Sequence, residues 1–290
     1  MEKRITGYTQ LIGLIAKPIK HSISPMIHNI SFSHLGLDYA YLAFEIDEDQ
    51  VKDAINSIKV LNMRGCNVSM PYKIAVIPYL DHLSPAAKMV GAVNTIVNDH
   101  GILTGHITDG TGLLEALKSN GYQIKDKKMV IVGCGGAATA IIVQAAIDGL
   151  KQITIYNKKD SFYEKAKEKI AMINEQTNCL VTLKDLNDLE ALKQDMHQSD
   201  FFINATNVGM GKLENMSYIP DSSYFTPHLL VVDIIYNPKQ TLLLKMAKEA
   251  NCQTMNGLGM LLYQGAAAFK LWTNQTMPIE KVKQELGLEN

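Results

Sequence analysis

The sequence predicts an α/β protein of two parts: an N-terminal α/β substrate domain and a Rossmann-like, doubly wound dinucleotide-binding domain. Three observations predict it. Short apolar runs alternate with amphipathic segments along the chain. One of those runs passes directly into a glycine-rich turn that opens an Ala/Ile-rich helix. The length, 290 residues of which 47% are hydrophobic, is enough for two ordinary domains, each with its own core.

The elements follow in order. Leu11–Ala16 reads as a first strand. Ser24-Pro25 has the form of an N-cap followed by proline at the first helical position, and Gly36 suits the C-terminal cap. Tyr39–Ile46, rich in aromatic and branched residues, is a second strand, and Val51, Ile55 and Ile58 keep helical spacing after it. Cys66–Met70 and Ala92–Val97 are further strands, and Asp99-His100-Gly101 is a turn into Ile102–Ile107. From Lys127 the strands become Met129–Val132, Ile153–Tyr156, Leu180–Leu183, Phe201–Asn204 and Leu229–Ile235, with helical stretches between them. That alternation is the pattern of a parallel sheet with right-handed crossovers. The tail from about Gly257 is helical and expected to return to the first domain. The expected division is a substrate-binding catalytic domain, 1–108 with 258–290, and an NAD(P)-binding domain, 109–257.

Composition excludes several classes. The formal charge is −1, from 28 Lys+Arg against 29 Asp+Glu, so there is no footprint for a nucleic-acid backbone or an anionic membrane. Cys66, Cys134, Cys179 and Cys252 are scattered, which is neither a disulfide framework nor a zinc ribbon. The histidine pairs His21/His28 and His100/His106 lack the spacing of a helical metal pair, so no metal is expected. The first apolar run is short and stops at Lys17, unlike a signal peptide, and no run approaches a membrane span. The expected compartment is the reducing cytoplasm. A homodimer is kept as an option.

Gly133, Gly135 and Ala138 satisfy G-x-G-x-x-G/A, with Gly136 and Ala137 inside the turn. The first glycine permits the tight turn, the second lets backbone approach a pyrophosphate, and a small third residue lets helix and sheet pack closely. Methyltransferases and plain tight turns share the pattern, but the strand before it and the helix after it favour a dinucleotide. Asn157-Lys158-Lys159-Asp160 closes the next strand. Lysine there suits a 2′-phosphate and aspartate a free ribose hydroxyl, so NADP and NAD both stay open.

Several further motifs occur in order: His21-Ser22-Ile23-Ser24-Pro25, Asn67-Val68-Ser69-Met70-Pro71-Tyr72-Lys73, Gly91-Ala92-Val93-Asn94-Thr95 and Thr108-Asp109-Gly110-Thr111-Gly112. With Gly133–Ala138, Asn204-Ala205-Thr206, Asn237-Pro238 and Gly257-Leu258-Gly259-Met260, they resemble the shikimate dehydrogenase family over nearly the whole chain. The resemblance implies reversible NAD(P)H-dependent reduction of 3-dehydroshikimate to shikimate, in aromatic amino acid biosynthesis. It implies that Lys73 is the catalytic lysine and Asp109 the carboxylate working with it. Ser22 and Ser24 match the serines that hold the substrate carboxylate, and Ser69 stands where many members have threonine. Asn94, Tyr236 and Gln264 match substrate-binding positions, and Ile234 and Gly257 match positions near the nicotinamide.

Singly, each residue has a plainer reading. Ser24 suits a helix cap, Lys73 a solvated lysine, and Asp109 a cap for the helix carrying Leu113, Leu114 and Leu117. Asn94 and Asn237 suit turns, Gln264 a buried hydrogen-bonded position, and His28 a structural one. The ordered set outweighs these. The chain departs from the common Gly-x-Asn-Thr-Asp at Ile107, and Lys158 replaces a frequent arginine, losing its planar fork. These segments are similar to the quinate/shikimate dehydrogenase branch, which tolerates quinate and uses NAD, and where Tyr41 would add a substrate contact. Quinate oxidation with NAD is therefore one alternative. A folate-linked methylene dehydrogenase is another, opposed by Ser22 and Ser24, and a non-catalytic nucleotide-sensing module a third, opposed by Lys73 and Asp109.

Overall fold

The computed structural model describes residues 5–288, which divide into two compact units. One holds the described chain up to Thr108 and from Leu262 onward, the other Asp109–Leu261. In the first, chain order is β1 (Gln10–Ala16), α1 (Ser24–His34), β2 (Tyr39–Glu45), α2 (Val51–Val60), β3 (Gly65–Val68), β4 (His82–Leu83), α3 (Pro85–Val90), β5 (Thr95–Asp99) and β6 (Ile102–His106). The six strands lie in the order β2-β1-β3-β5-β6-β4. β1 pairs in parallel with β2 and β3, whereas β5 runs antiparallel to β3 and β6. β1 is buried from Ile12 to Ala16 because it lies inside the sheet, which is why it reads as a continuous apolar run. The β5–β6 hairpin turns on His100 and Gly101 at φ +54° and +90°, the left-handed pair that a two-residue hairpin needs.

The second unit runs α4 (Asp109–Ser119), β7 (Lys128–Val132), α5 (Gly136–Ile147), β8 (Gln152–Asn157), α6 (Ser161–Gln176), β9 (Leu180–Asp185), α7 (Leu189–His197), β10 (Phe201–Asn204), β11 (Leu230–Asp233), α8 (Leu242–Glu249) and β12 (Gln253–Met255). Every pair in its sheet is parallel, in the order β12-β11-β10-β7-β8-β9. Strand order reverses at β7, which has β8 on one side and β10 on the other, and such a switch point is where open α/β sheets bind ligands.

α9 (Leu258–Thr273) begins in the second unit and carries the chain into the first, where α10 (Ile279–Leu286) follows. The sequence reading put this crossing at 257/258; the division falls at Leu262, one turn into α9. Trp272 anchors the returning helix: its indole donates to the Ile96 carbonyl at 2.9 Å, and a side chain on Gly65 would collide with the ring. β4 and β12 were not anticipated, being too short to show a period. Among the described residues no helix is long and apolar enough to cross a membrane.

His28 of α1 is 1% exposed and stacked on Tyr41, ring centroids 4.5 Å apart, with Trp272 edge-on at 5.3 Å. Its Nδ1 has no hydrogen-bond partner, and burial pushes the imidazole down from 6.5 to about 3. Since the folded state excludes a proton that the unfolded chain binds below about 6.5, stability present above that pH is lost as pH falls towards 3. Replacing His28 with Leu should flatten the acid limb of Tm against pH in that window; limbs of equal slope in both proteins would refute this.

Candidate active site

Parallel β1 and β3 and antiparallel β5 bring their flanking loops to one edge of the first sheet. The segments holding Ser22 and Ser24, Ser69 and Lys73, and Asn94 therefore share that edge, as does Thr108 after β6. Backbone bonds fix them: Ser69 N–H donates to Ile15 at 3.0 Å, Val93 N–H to Lys73 at 2.8 Å, and Asn94 N–H to His106 at 2.9 Å. Ser22, Ser24, Ser69, Lys73 and Gln264, the last on α9, are all half-buried.

Beneath this edge runs a buried polar relay. The Tyr41 hydroxyl donates to Asn67 Oδ1 at 2.7 Å. Asn67 Nδ2 donates to the Asn94 carbonyl at 2.9 Å and to Thr95 Oγ1 at 3.0 Å. Thr95 Oγ1 donates in turn to Asn94 Oδ1 at 3.0 Å, which also accepts the Thr108 N–H at 2.9 Å. Burial pushes the Tyr41 phenol well above its ordinary range. Asn94 thus holds the residue directly before Asp109, which opens α4 half-buried.

In the second unit Gly133 takes φ +107°, and a side chain there would press on the Ala205 carbonyl at 2.9 Å. Gly135 and Gly136 have open space where a Cβ would project. α5 begins at Gly136 with no side-chain cap and no acidic residue in its first turn. Its leading amides are therefore available to an anion, and the fully buried Ala138 keeps the helix close to the sheet. These residues, with half-buried Ala137, fit a dinucleotide pyrophosphate. At the end of β8, Asn157 Nδ2 donates to Asp160 Oδ1 at 3.0 Å, and the same oxygen caps α6 through Tyr163 N–H at 3.1 Å. Lys159 pairs with Asp185 at 3.3 Å, whereas Lys158 lies over the Tyr218 ring, 5.3 Å from its centroid. Ile234, half-buried, donates its N–H to the Asn204 carbonyl at 3.1 Å. Gly257 packs so tightly on the Ile234 carbonyl that no side chain fits, and Tyr236 is 48% exposed.

Two expectations change. Ser24 is not the N-cap of α1: Ile23 is, with no side-chain bond, and Ser22 Oγ instead accepts the Ser24 N–H at 3.3 Å. Tyr41, expected to touch substrate, is fully buried with its proton committed to Asn67, so it belongs to the relay beneath the site. Sequence reasoning gave no role to Asn67, Thr95, Thr108, Tyr218 or Asp233. For Asn67 and Asp233 a signal existed, a polar residue within or closing an otherwise apolar strand.

Two family models match: the shikimate dehydrogenase substrate binding domain over residues 14–96, and the shikimate 5′-dehydrogenase C-terminal domain over 257–286. The shikimate dehydrogenase (NADP(+)) of Listeria innocua is 53% identical over 284 residues, 98% of each chain. The structure of shikimate 5-dehydrogenase from Listeria monocytogenes, in complex with shikimate and NAD, superposes with TM-score 0.96 at 52% identity, covering 99% of each chain. Quinate dehydrogenase from Corynebacterium glutamicum, in complex with NAD, is more distant at 27% identity and TM-score 0.85, covering 97% of this chain and 99% of that one.

Replacing Tyr41 with Phe leaves Asn67 Oδ1 without its donor in the interior, a loss of about 1–3 kcal/mol. Urea unfolding should show that loss. A variant as stable as wild type would show that the relay does not depend on the phenol.

Proposed function

The chain belongs to the shikimate dehydrogenase family, and on that premise we propose how its residues work. It is an NAD(P)-dependent oxidoreductase acting on the ring CH–OH of shikimate, reversibly with 3-dehydroshikimate. The observation that carries the residue roles is the gathering of Ser22, Ser24, Ser69, Lys73 and Asn94 at one edge of the first sheet. Ser22 and Ser24 hold the substrate carboxylate with hydroxyl hydrogen bonds, and Asn94, Ser69, Tyr236 and Gln264 bind its hydroxyls and carboxylate. The bound dinucleotide supplies or takes the hydride at the ring carbon.

Lys73 handles the proton at the neighbouring oxygen: it accepts the hydroxyl proton when the alcohol is oxidised and returns it when the ketone is reduced. Asp109 is the carboxylate that works with it. Gly133–Ala138 and the α5 N-terminus hold the pyrophosphate, Asn157, Lys158 and Asp160 the adenosine end, and Ile234 and Gly257 the nicotinamide end. Four unbridged thiols agree with a reducing cytoplasm. A homodimer completes the reading: β2 is an edge strand with Leu42 and Phe44 50% and 38% exposed, and sedimentation reads the stoichiometry.

Two measurements test this. Lys73→Ala should lower kcat for shikimate oxidation by about 10²–10⁴ while KM moves only a few-fold; near-wild-type turnover removes Lys73 from proton transfer. Lys158→Ala should raise KM for NADP+ about tenfold and leave that for NAD+ unchanged, since the lost cation faces only a 2′-phosphate. Equal effects on both would place Lys158 outside the adenosine site.

A further inference from the structure

Asp233, the last residue of β11, is the one carboxylate in the buried interior among the described residues, with no exposure. Burial pushes its carboxyl up to about 6, while the donors around it oppose that rise by favouring the charged form. Three donors converge on it: Thr241 Oγ1 at 2.7 Å, Asn204 Nδ2 at 3.0 Å and the Ile235 N–H at 3.1 Å. Each belongs to a different segment at the carboxyl edge of the second sheet. Thr241 caps α8, Asn204 ends β10, and Ile235 lies in the loop that leaves β11.

The clasp extends outward from there. Asn204 Oδ1 accepts the Thr206 hydroxyl at 2.7 Å, and Asn204 Nδ2 also reaches the Val208 carbonyl at 3.0 Å, so it shapes the loop after β10. The Ile235 carbonyl accepts the Gly257 N–H at 2.9 Å, and Gly257 lies against the Ile234 carbonyl. A burial this costly for an ion needs a strong reason, and the loops it joins border the switch point on the side away from β8.

We propose that Asp233 is a positioning residue for the nicotinamide half of the dinucleotide, holding the loops after β10 and β11 in one arrangement. This rests on the dinucleotide reading above. With the pyrophosphate at the β7–α5 turn and adenosine at the end of β8, the nicotinamide half falls over β10 and β11. Asp233 touches neither substrate nor cofactor, and acts through Ile234, Thr206 and Gly257.

The test compares whole NADP+ with 2′-phospho-ADP-ribose, which lacks the nicotinamide, by titration calorimetry. Asp233→Ala should weaken NADP+ about tenfold and lower kcat, while the fragment binds within about twofold of wild type. Asp233→Asn, whose carboxamide oxygen still accepts from Asn204 and Ile235, should recover most of the loss. Should Asp233→Ala fail to fold, Thr241→Val removes a single donor and should show the same split in smaller degree. Equal weakening of cofactor and fragment, or no change in either, overturns the proposal. A wild-type protein that binds neither molecule overturns the dinucleotide reading instead.

Discussion

Where strands leave a sheet their backbone partners run out, and asparagine carboxamides meet that shortage in both units. A carboxamide both donates and accepts, so one side chain can serve a carbonyl in one segment and an N–H in another, whereas a carboxylate can only accept and an ammonium only donate. Asn67 links the Tyr41 phenol to the Asn94 carbonyl; Asn94 links Thr95 to Thr108; Asn98 takes the Met63 carbonyl at 2.8 Å and the Gly101 N–H at 2.8 Å. In the second sheet Asn204 does the same for the loops after β10 and β11. All four are buried, so each bond is obligatory: an orphaned group there costs about 1–3 kcal/mol. The segments that carry Lys73 and the residue before Asp109 inherit their positions from this requirement.

The net charge of −1 offers no field to draw in an anionic acid and an anionic cofactor. Attraction must come from local groups, and in the proposed site these are the serine hydroxyls, Lys73 and the α5 N-terminus. The open space over Gly135 and Gly136 lets those first-turn amides be approached directly.

Much of this was legible in the sequence because it depends on periodicity and on glycine. The β7, β8, β10 and β11 runs are buried on both faces, as inner parallel strands between helices must be, and Gly133 carries the positive φ that the fingerprint requires. The motif residues were legible as members of an ordered set. What escaped depends on partners distant in sequence. Nothing near Tyr41 announces that its proton goes to Asn67, 26 residues away, so a tyrosine beside a site read as a contact. The cap of α1 was misassigned because a serine before proline has the usual form, whereas Ser24 is already the first residue of the helix and its N–H bonds Ser22 Oγ. β4 and β12, two and three residues long, exist only through the neighbours they pair with.

Two of the buried titratable side chains, His28 and Asp233, show why pairing, more than burial, separates packing from positioning. His28 gives up its charge: stacked among Tyr41, Phe32, Phe269 and Trp272 with a nitrogen unpaired, it is held by ring contact and behaves as an aromatic core residue. Asp233 has no exposure either, yet three donors from three segments face it. An apolar residue would fill the same space and avoid the desolvation penalty, but would leave the Asn204 amide, the Ile235 N–H and the Thr241 hydroxyl without an acceptor. The carboxylate is therefore fitted to the loops rather than to the core. Its placement at the end of a strand, instead of the middle, puts that constraint next to the crevice where the sheet changes direction.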